Sequence, residues 1–299
     1  MDNYYDLVKG AYDLHQHSGP DVMPRKIDDL ELSKRFIKAG MGGYVIKSHY
    51  NNSAERAYYA NLLYPECKAI GAITLNNTVG GLNPVAVEMA GREGTKIIWF
   101  PTFDGKREQE FLFGSGRTDI IYPYWAKIIK ELEHDRINSP QISLLDEKGK
   151  LKDVVIDIID LSKKHNMVLA TSHLSHEETF ALAKAIHERG VKKFIVTHVL
   201  YPSTVYTIDE QKELINLGGI VEYCYSTITT GKTTLEATLN GIRGVGYENC
   251  LISSDLGQMK GCYPDEGMID FARILYENGF TPDQIQRMNR DNPKWLLEL

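Results

Sequence analysis

The sequence predicts a single (β/α)8 barrel over residues 1–299, with an insertion at 103–152. Three observations carry this: eight short β-branched runs, helical patterns between them, and histidines recurring at the C-terminal tips of those runs. The strand segments are 11–15, 43–49, 69–75, 95–100, 167–173, 193–198, 219–223 and 250–255, with helical patterns at 28–39, 53–63, 177–189, 208–217 and 232–242. Regular alternation of strand and helix implies parallel strands joined by right-handed crossovers. Eight such units favour a closed barrel over an open doubly wound sheet, although strand order itself is not written in a sequence. No glycine-rich dinucleotide fingerprint follows any strand. After the fourth strand the chain runs on through 103–152, far beyond an ordinary loop. This stretch carries Phe111, Phe113, Tyr122, Tyr124 and Trp125, and reads either as a lid over the barrel mouth or as a solvated surface insertion.

Composition narrows the function. Apolar residues make up 42% of the chain and charged residues 25%, as in an ordinary folded domain. The net charge is −6 and no dense Lys/Arg stripe is present, which argues against nucleic acid as a partner. No run of about 18 apolar residues is present to span a membrane. The N-terminus lacks the basic start and apolar stretch of a secretion signal. Cys67, Cys224, Cys250 and Cys262 form no C-x-x-C pair, so a structural zinc knot and a disulfide framework are both disfavoured. These features predict a cytoplasmic protein acting on a small molecule, with self-association left open.

Of nine histidines, five fall at predicted strand tips: His15, His17, His49, His173 and His198. In a barrel this is the end that holds the active site. Residues two apart on a strand share a face, so the H-x-H of Asp13-Leu14-His15-Gln16-His17 aims two imidazoles one way. His173, His198 and Asp255 close strands five, six and eight. Neutral imidazoles bind divalent transition metals, and a carboxylate either joins them or takes a proton from water. The predicted cofactor is therefore a divalent metal, zinc first and manganese or iron(II) as alternatives, as one ion or two.

This order of ligands, H-x-H on strand one, His173 on five, His198 on six and Asp255 on eight, resembles the amidohydrolase superfamily of metal-dependent barrels. The resemblance extends over nearly the whole chain, to the closing Asn292-Pro293-Lys294-Trp295-Leu296-Leu297. Four segments, Asp13 to Asp21, Lys47-Ser48-His49-Tyr50, Val79 to Pro84 and Ser253 to Gln258, look like an uncharacterised branch of that superfamily known only as a domain of unknown function. The resemblance implies the barrel, the metal site and hydrolysis by a metal-activated water. It does not imply a substrate.

The chain departs from the two-metal pattern in one respect. The bridging carboxylated lysine or glutamate near the end of strand four has no counterpart, since Lys96 lies at the wrong end and Thr102 cannot bridge. One metal on His15, His17, His173 and Asp255 is then the simplest state, with His198 as a further ligand or a donor to substrate. Lys47, on strand two, has three readings. It is an ammonium that grips an anionic group or an oxyanion, a carboxylated bridge between two ions, or the ion-pair partner of Glu222. Arg25, His49, Asn76, Tyr201 and Gln258 are the further candidates for substrate contact. Asp255 is the candidate proton acceptor, with His198 and Lys47 stabilising the oxyanion of an amide, cyclic amide or ester. Alternatives are a phosphoesterase of the polymerase and histidinol phosphatase type, a metal-dependent decarboxylase and a non-catalytic barrel. The phosphoesterase family resembles this chain through Asp13-Leu14-His15 and His49, but its closing Asp-x-His is here Asp255-Leu256-Gly257.

Overall fold

The computed structural model describes residues 4–114 and 122–299. Eight parallel strands follow in chain order around one sheet: β1 (Tyr12–Gln16), β2 (Gly43–Ile46), β3 (Lys68–Thr74), β4 (Ile97–Trp99), β5 (Val168–Ala170), β6 (Phe194–Val196), β7 (Gly219–Cys224) and β8 (Cys250–Ser253). The ring is drawn together between β8 and β1. There the Asp255 N–H donates to the His15 carbonyl at 2.6 Å and the His17 N–H to that of Leu256 at 2.7 Å. The (β/α)8 barrel predicted from alternation is the architecture found.

The inside of the barrel is dry. Tyr12, Leu14, Val45, Ile70, Ala72, Ile97, Trp99, Val168, Ala170, Ile195, Ile220 and Leu251 point inward and pack as one cluster, closed from below by Leu296 and Leu297. Trp99, fully buried, is the top of this apolar fill, and the polar mouth begins above it. The outer faces of the strands meet the helices in a second, larger core.

Local chemistry sets the helix starts. Ser175 and Glu178 form a capping box ahead of His176–Glu188, and Thr207 and Glu210 form another ahead of Ile208–Asn216. Asn83 caps Pro84–Arg92 with proline in the first turn. β2, β4, β5, β6 and β8 are shorter than the β-branched runs suggest, because their last residues leave the ladder to enter the mouth. The helix predicted at 232–242 is found at Leu235–Val245, and a short helix, Tyr225–Thr229, precedes it.

The stretch 103–152 contains the helices Lys106–Phe113 and Tyr124–His134, and its two ends are drawn together where Gly105 pairs with Ile142. The part of the insertion at 115–121 lies outside the described residues.

Closure of the barrel leaves no room beside β8. Gly257 has φ +119°, and a Cβ there would lie 1.6 Å from the His17 carbonyl oxygen. Gly94 has φ +92° and open space around it. Gly257→Ala is therefore expected to melt well below Gly94→Ala, by an extra cost on the order of 1–3 kcal/mol for the forced backbone shift. Equal losses in thermal denaturation would show that the close approach carries no weight.

Candidate metal centre and active site

The site starts from an irregularity in β1. Asp13 pairs with Tyr44 and Gln16 with Ile46, so three steps along β1 match two along β2. This bulge lets Leu14 fill the barrel while His15, its neighbour, also faces the axis. The His15 and His17 rings end 5.7 Å apart. On β2 the plain period of two carries Val45, then Lys47, then His49 up the inner wall, and on β7 it carries Ile220, Glu222 and Cys224. Left-handed backbone turns the other tips: Ser172 has φ 56°, His198 φ 29° and Asp255 φ 48°. Non-glycine residues in that region are uncommon and cluster where function fixes a side chain.

Three of the imidazoles meet a partner at Nδ1, whereas the His198 Nδ1 has none among the described residues. His15 Nδ1–H donates to Glu222 Oε2 at 3.0 Å, and His17 Nδ1–H donates to the Lys47 carbonyl at 2.9 Å. Glu108, from the insertion, places Oε2 2.9 Å from His173 Nδ1. Such partners fix the tautomer and leave Nε2 as the acceptor. The Nε2 atoms then converge. Those of His15 and His17 lie 3.2 and 3.3 Å from Asp255 Oδ1, and those of His173 and His198 lie 3.1 Å from one another. Asp255 Oδ2 accepts from the Ser226 hydroxyl at 2.7 Å.

The electrostatics are those of a site that wants a cation. Burial above all, then Arg25, pushes the His17 ring down to about 3, so it is neutral. With its proton on Nδ1, its Nε2 lone pair faces a carboxylate oxygen and no hydrogen lies between. Burial opposes the charge on Asp255, yet His15 and His17 hold its carboxyl well below the usual range. Burial and Lys47 depress His15, but Glu222 and Asp255 carry it above its ordinary value. His198 and His49 are both held well below theirs, burial first, with His173 next for His198 and His17 next for His49. Imidazole nitrogens and one carboxylate within reach of a common point suit a divalent transition ion. His15, His17 and Asp255 bring one ligand atom each within 4.8 Å of one another, so the donor set fits.

Lys47 is fully buried, and its Nζ donates to His15 Nε2 at 2.8 Å while lying 4.2 Å over the Trp99 ring. Burial pushes it down to about 8 against the pull of Asp255 and Glu222. Glu222 does not form its ion pair among the described residues: its oxygens accept from His15, from the His198 N–H at 3.1 Å and from Ser253 at 2.7 Å. Trp99 occupies the end of β4, where a bridging side chain would have to stand.

Above these groups opens a cavity of about 540 Å3. His15, His17, Arg25, Lys47, His49, His173, His198, Tyr201, Asp255 and Gln258 all line it. Arg25 is already held by Asp21 at 2.6 Å, and Tyr201 stacks on His198 at 4.6 Å. Asn76 does not reach the cavity; its amide is spent on Thr102 and on the His49 carbonyl. Residues not anticipated include Glu108 and, around the rim, Phe103, Ser226, Lys232 and Lys260. Strand period alone would have put Glu222 on the inner face. Nothing in the sequence marks Glu108.

The fold is shared with solved structures of low identity. An amidohydrolase from Pseudomonas aeruginosa superposes with a TM-score of 0.62 at 9% identity, covering 98% of this chain and 97% of that one. Organophosphorus hydrolase from Deinococcus radiodurans gives 0.57 at 13%, covering 98% and 93%. A putative 2-pyrone-4,6-dicarboxylic acid hydrolase from Pseudomonas putida gives 0.54 at 12%, covering 97% of each. A search of curated protein sequences finds no match. A family model matches residues 10–222, the stretch that holds β1 to β6, the first part of β7 and every histidine of the site, and this chain belongs to that family, DUF6282, a family of unknown function.

Proposed function

We propose that the chain is a metal-dependent hydrolase of the amidohydrolase kind, acting on a small anionic molecule with an amide, cyclic amide or ester bond. The observation that carries the proposal is the pair of acceptors, His17 Nε2 and Asp255 Oδ1, facing each other at 3.3 Å in a buried site. His15, His17 and Asp255 would hold a divalent ion, with His173 and His198 completing its surroundings or taking a second one; zinc is the first choice, then manganese or iron(II). Such an ion acidifies water from a pKa near ~16 toward ~7 and so makes a nucleophile available at neutral pH.

The protein's own groups do the rest. Asp255 stays ionised at neutral pH and is the proton acceptor, oriented by Ser226. Lys47 and His198 face the place where an oxyanion develops. Lys232 and Lys260, at the rim, make no ion pair among the described residues and can draw in an anion, Lys232 from over the Tyr201 ring at 4.4 Å, whereas Arg25 is engaged by Asp21. Phe103, Tyr124 and Trp125 form an apolar wall on which a planar substrate can lie, and the insertion that supplies them acts as the lid. The hydrolases among the solved structures of similar fold support this reading. Among the described residues no helix is long and apolar enough to cross a membrane.

Elemental analysis with a substrate panel tests the proposal. His15→Ala with His17→Ala is expected to abolish tight metal retention; unchanged metal content would remove the site. Asp255→Asn is expected to keep metal and lose turnover of lactones, cyclic amides and aryl esters by about 10²–10⁴-fold, the scale of a lost general base. Activity confined to aryl phosphates, or release of carbon dioxide, would overturn the bond class. Glu222→Gln and Glu108→Gln are expected to weaken metal affinity by about 10–100-fold each in competition with a chelator. Wild-type affinity in both would mean that these carboxylates do not set the rings.

A further inference from the structure

One cavity histidine has its proton placed by a chain of hydrogen bonds that can be followed from a group whose role is fixed. The Thr102 backbone N–H can only donate, and it meets Asn76 Oδ1 at 2.9 Å. This orients the amide, so Asn76 Nδ2 faces Thr102 Oγ1 at 2.7 Å and the His49 carbonyl at 3.0 Å, donating to both. Thr102 Oγ1 has thus accepted a hydrogen bond, and its own hydrogen needs an acceptor. The partner at hand is His49 Nδ1, 3.0 Å away. Asn76 and Thr102 are both buried, 0% and 1% exposed, so no bulk water competes for these positions.

If Thr102 O–H donates to His49 Nδ1, that nitrogen is bare and the ring proton sits on Nε2. His49 lines the cavity, and its Nε2 makes no hydrogen bond among the described residues. The ring lies flat against that of His17, with centroids 4.8 Å apart and planes at 27°, so its orientation is set as well. This reverses the arrangement at the other histidines of the site. His15 and His17 carry their protons on Nδ1 and offer lone pairs, while His49 offers an N–H.

We infer that His49 is a fixed hydrogen-bond donor to a substrate oxygen and not a metal ligand, its tautomer set by the Asn76–Thr102 relay. Donation toward substrate rests on the hydrolase reading; the tautomer does not. Thr102 and Asn76 are then positioning residues. A lone pair on His49 would draw in a second cation beside His17, whereas an N–H there repels one and polarises a carbonyl or carboxylate oxygen.

The test is a long-range 1H–15N correlation spectrum of protein labelled in its histidines, recorded metal-free and after addition of zinc alone, with His49→Gln supplying the assignment. Expected are a protonated Nε2 and a bare Nδ1 in both states. Thr102→Val should release the lock, so that the Nδ1–H form appears, and Thr102→Ser should restore it. Asn76→Asp should invert the tautomer, because the introduced carboxylate takes the Thr102 hydrogen. His49→Gln should hold as much zinc as the wild type. On any ester or lactone the protein turns over, His49→Phe should lose about 10²-fold in kcat, the scale of a lost oxyanion donor, with His49→Gln recovering part of it. A wild-type Nδ1–H tautomer, or zinc loss in His49→Gln, overturns the inference. A protein that takes up no zinc sinks the metal reading instead, since the metal-free spectrum still decides the tautomer.

Discussion

Two hydrogen-bond acceptors that face each other away from water repel, and they stay close only if a proton or a cation lies between them. At the mouth of this barrel that constraint is built from several directions at once. Glu222 and the Lys47 carbonyl hold the Nδ1 protons of His15 and His17; the His15 Nε2 is met by the Lys47 Nζ, while the His17 Nε2 turns a bare lone pair toward Asp255. Asp255 cannot relieve the conflict by taking a proton, since its neighbours hold it ionised. His17 cannot relieve it either, because burial keeps the ring neutral. The demand for positive charge is a property of the framework around the site, and the framework is what a bound ion would stabilise in turn.

Maintaining this arrangement strains the backbone. Ser172, His198 and Asp255 all adopt left-handed conformations, each costing about 1–3 kcal/mol. Specific bonds hold them there. The Asp255 N–H reaches across to the His15 carbonyl, the His198 N–H is taken by Glu222, and the Ser172 N–H by Thr197 Oγ1 at 2.9 Å. Glu222 therefore has two duties, orienting a ring and pinning a strained turn. Below, Trp99 separates this polar layer from the aliphatic fill and gives Lys47 a π face to lie on. A lysine fully buried beside an imidazole is costly in isolation. Here Asp255 and Glu222 lie close enough to offset much of that cost.

What could be read in the sequence follows from how local its cause is. Eight strands and their order of alternation were legible because hydrophobic period is a property of a few consecutive residues. Histidines at the tips were legible because strand ends in this fold share one rim. The bulge in β1 was not, for it depends on the pairing of Asp13 and Gln16 with a neighbouring strand. H-x-H reasoning expects His15 and His17 on one face, as they are, but gives no reason for Leu14 to face the axis too. Asn76, expected at the substrate, is drawn away by Thr102, a partner 26 residues further on. Glu108 was hidden for the same reason: it lies on a helix of the insertion, and only the fold brings it to His173.

Glu108 also shows why the insertion is more than a cover. Three of the groups that hold the rings, Glu222, the Lys47 carbonyl and Thr102, belong to the barrel or its immediate strand ends. The one at His173 belongs to the helix Lys106–Phe113, whose Glu108 is also engaged by Ser203. The insertion's Trp125 stacks on Phe103, and Phe103 packs edge-on to His49. Displacing that helix would strip His173 Nδ1 of its carboxylate in a buried place, a loss of about 1–3 kcal/mol for a polar group left unpaired. The same movement would disturb the apolar wall, since Phe113 of that helix packs edge-on to Trp125 of the next at 6.4 Å. The wall of the cavity and the orientation of the His173 ring are thereby fastened to neighbouring helices of one insertion, so a shift of the first helix is felt by both.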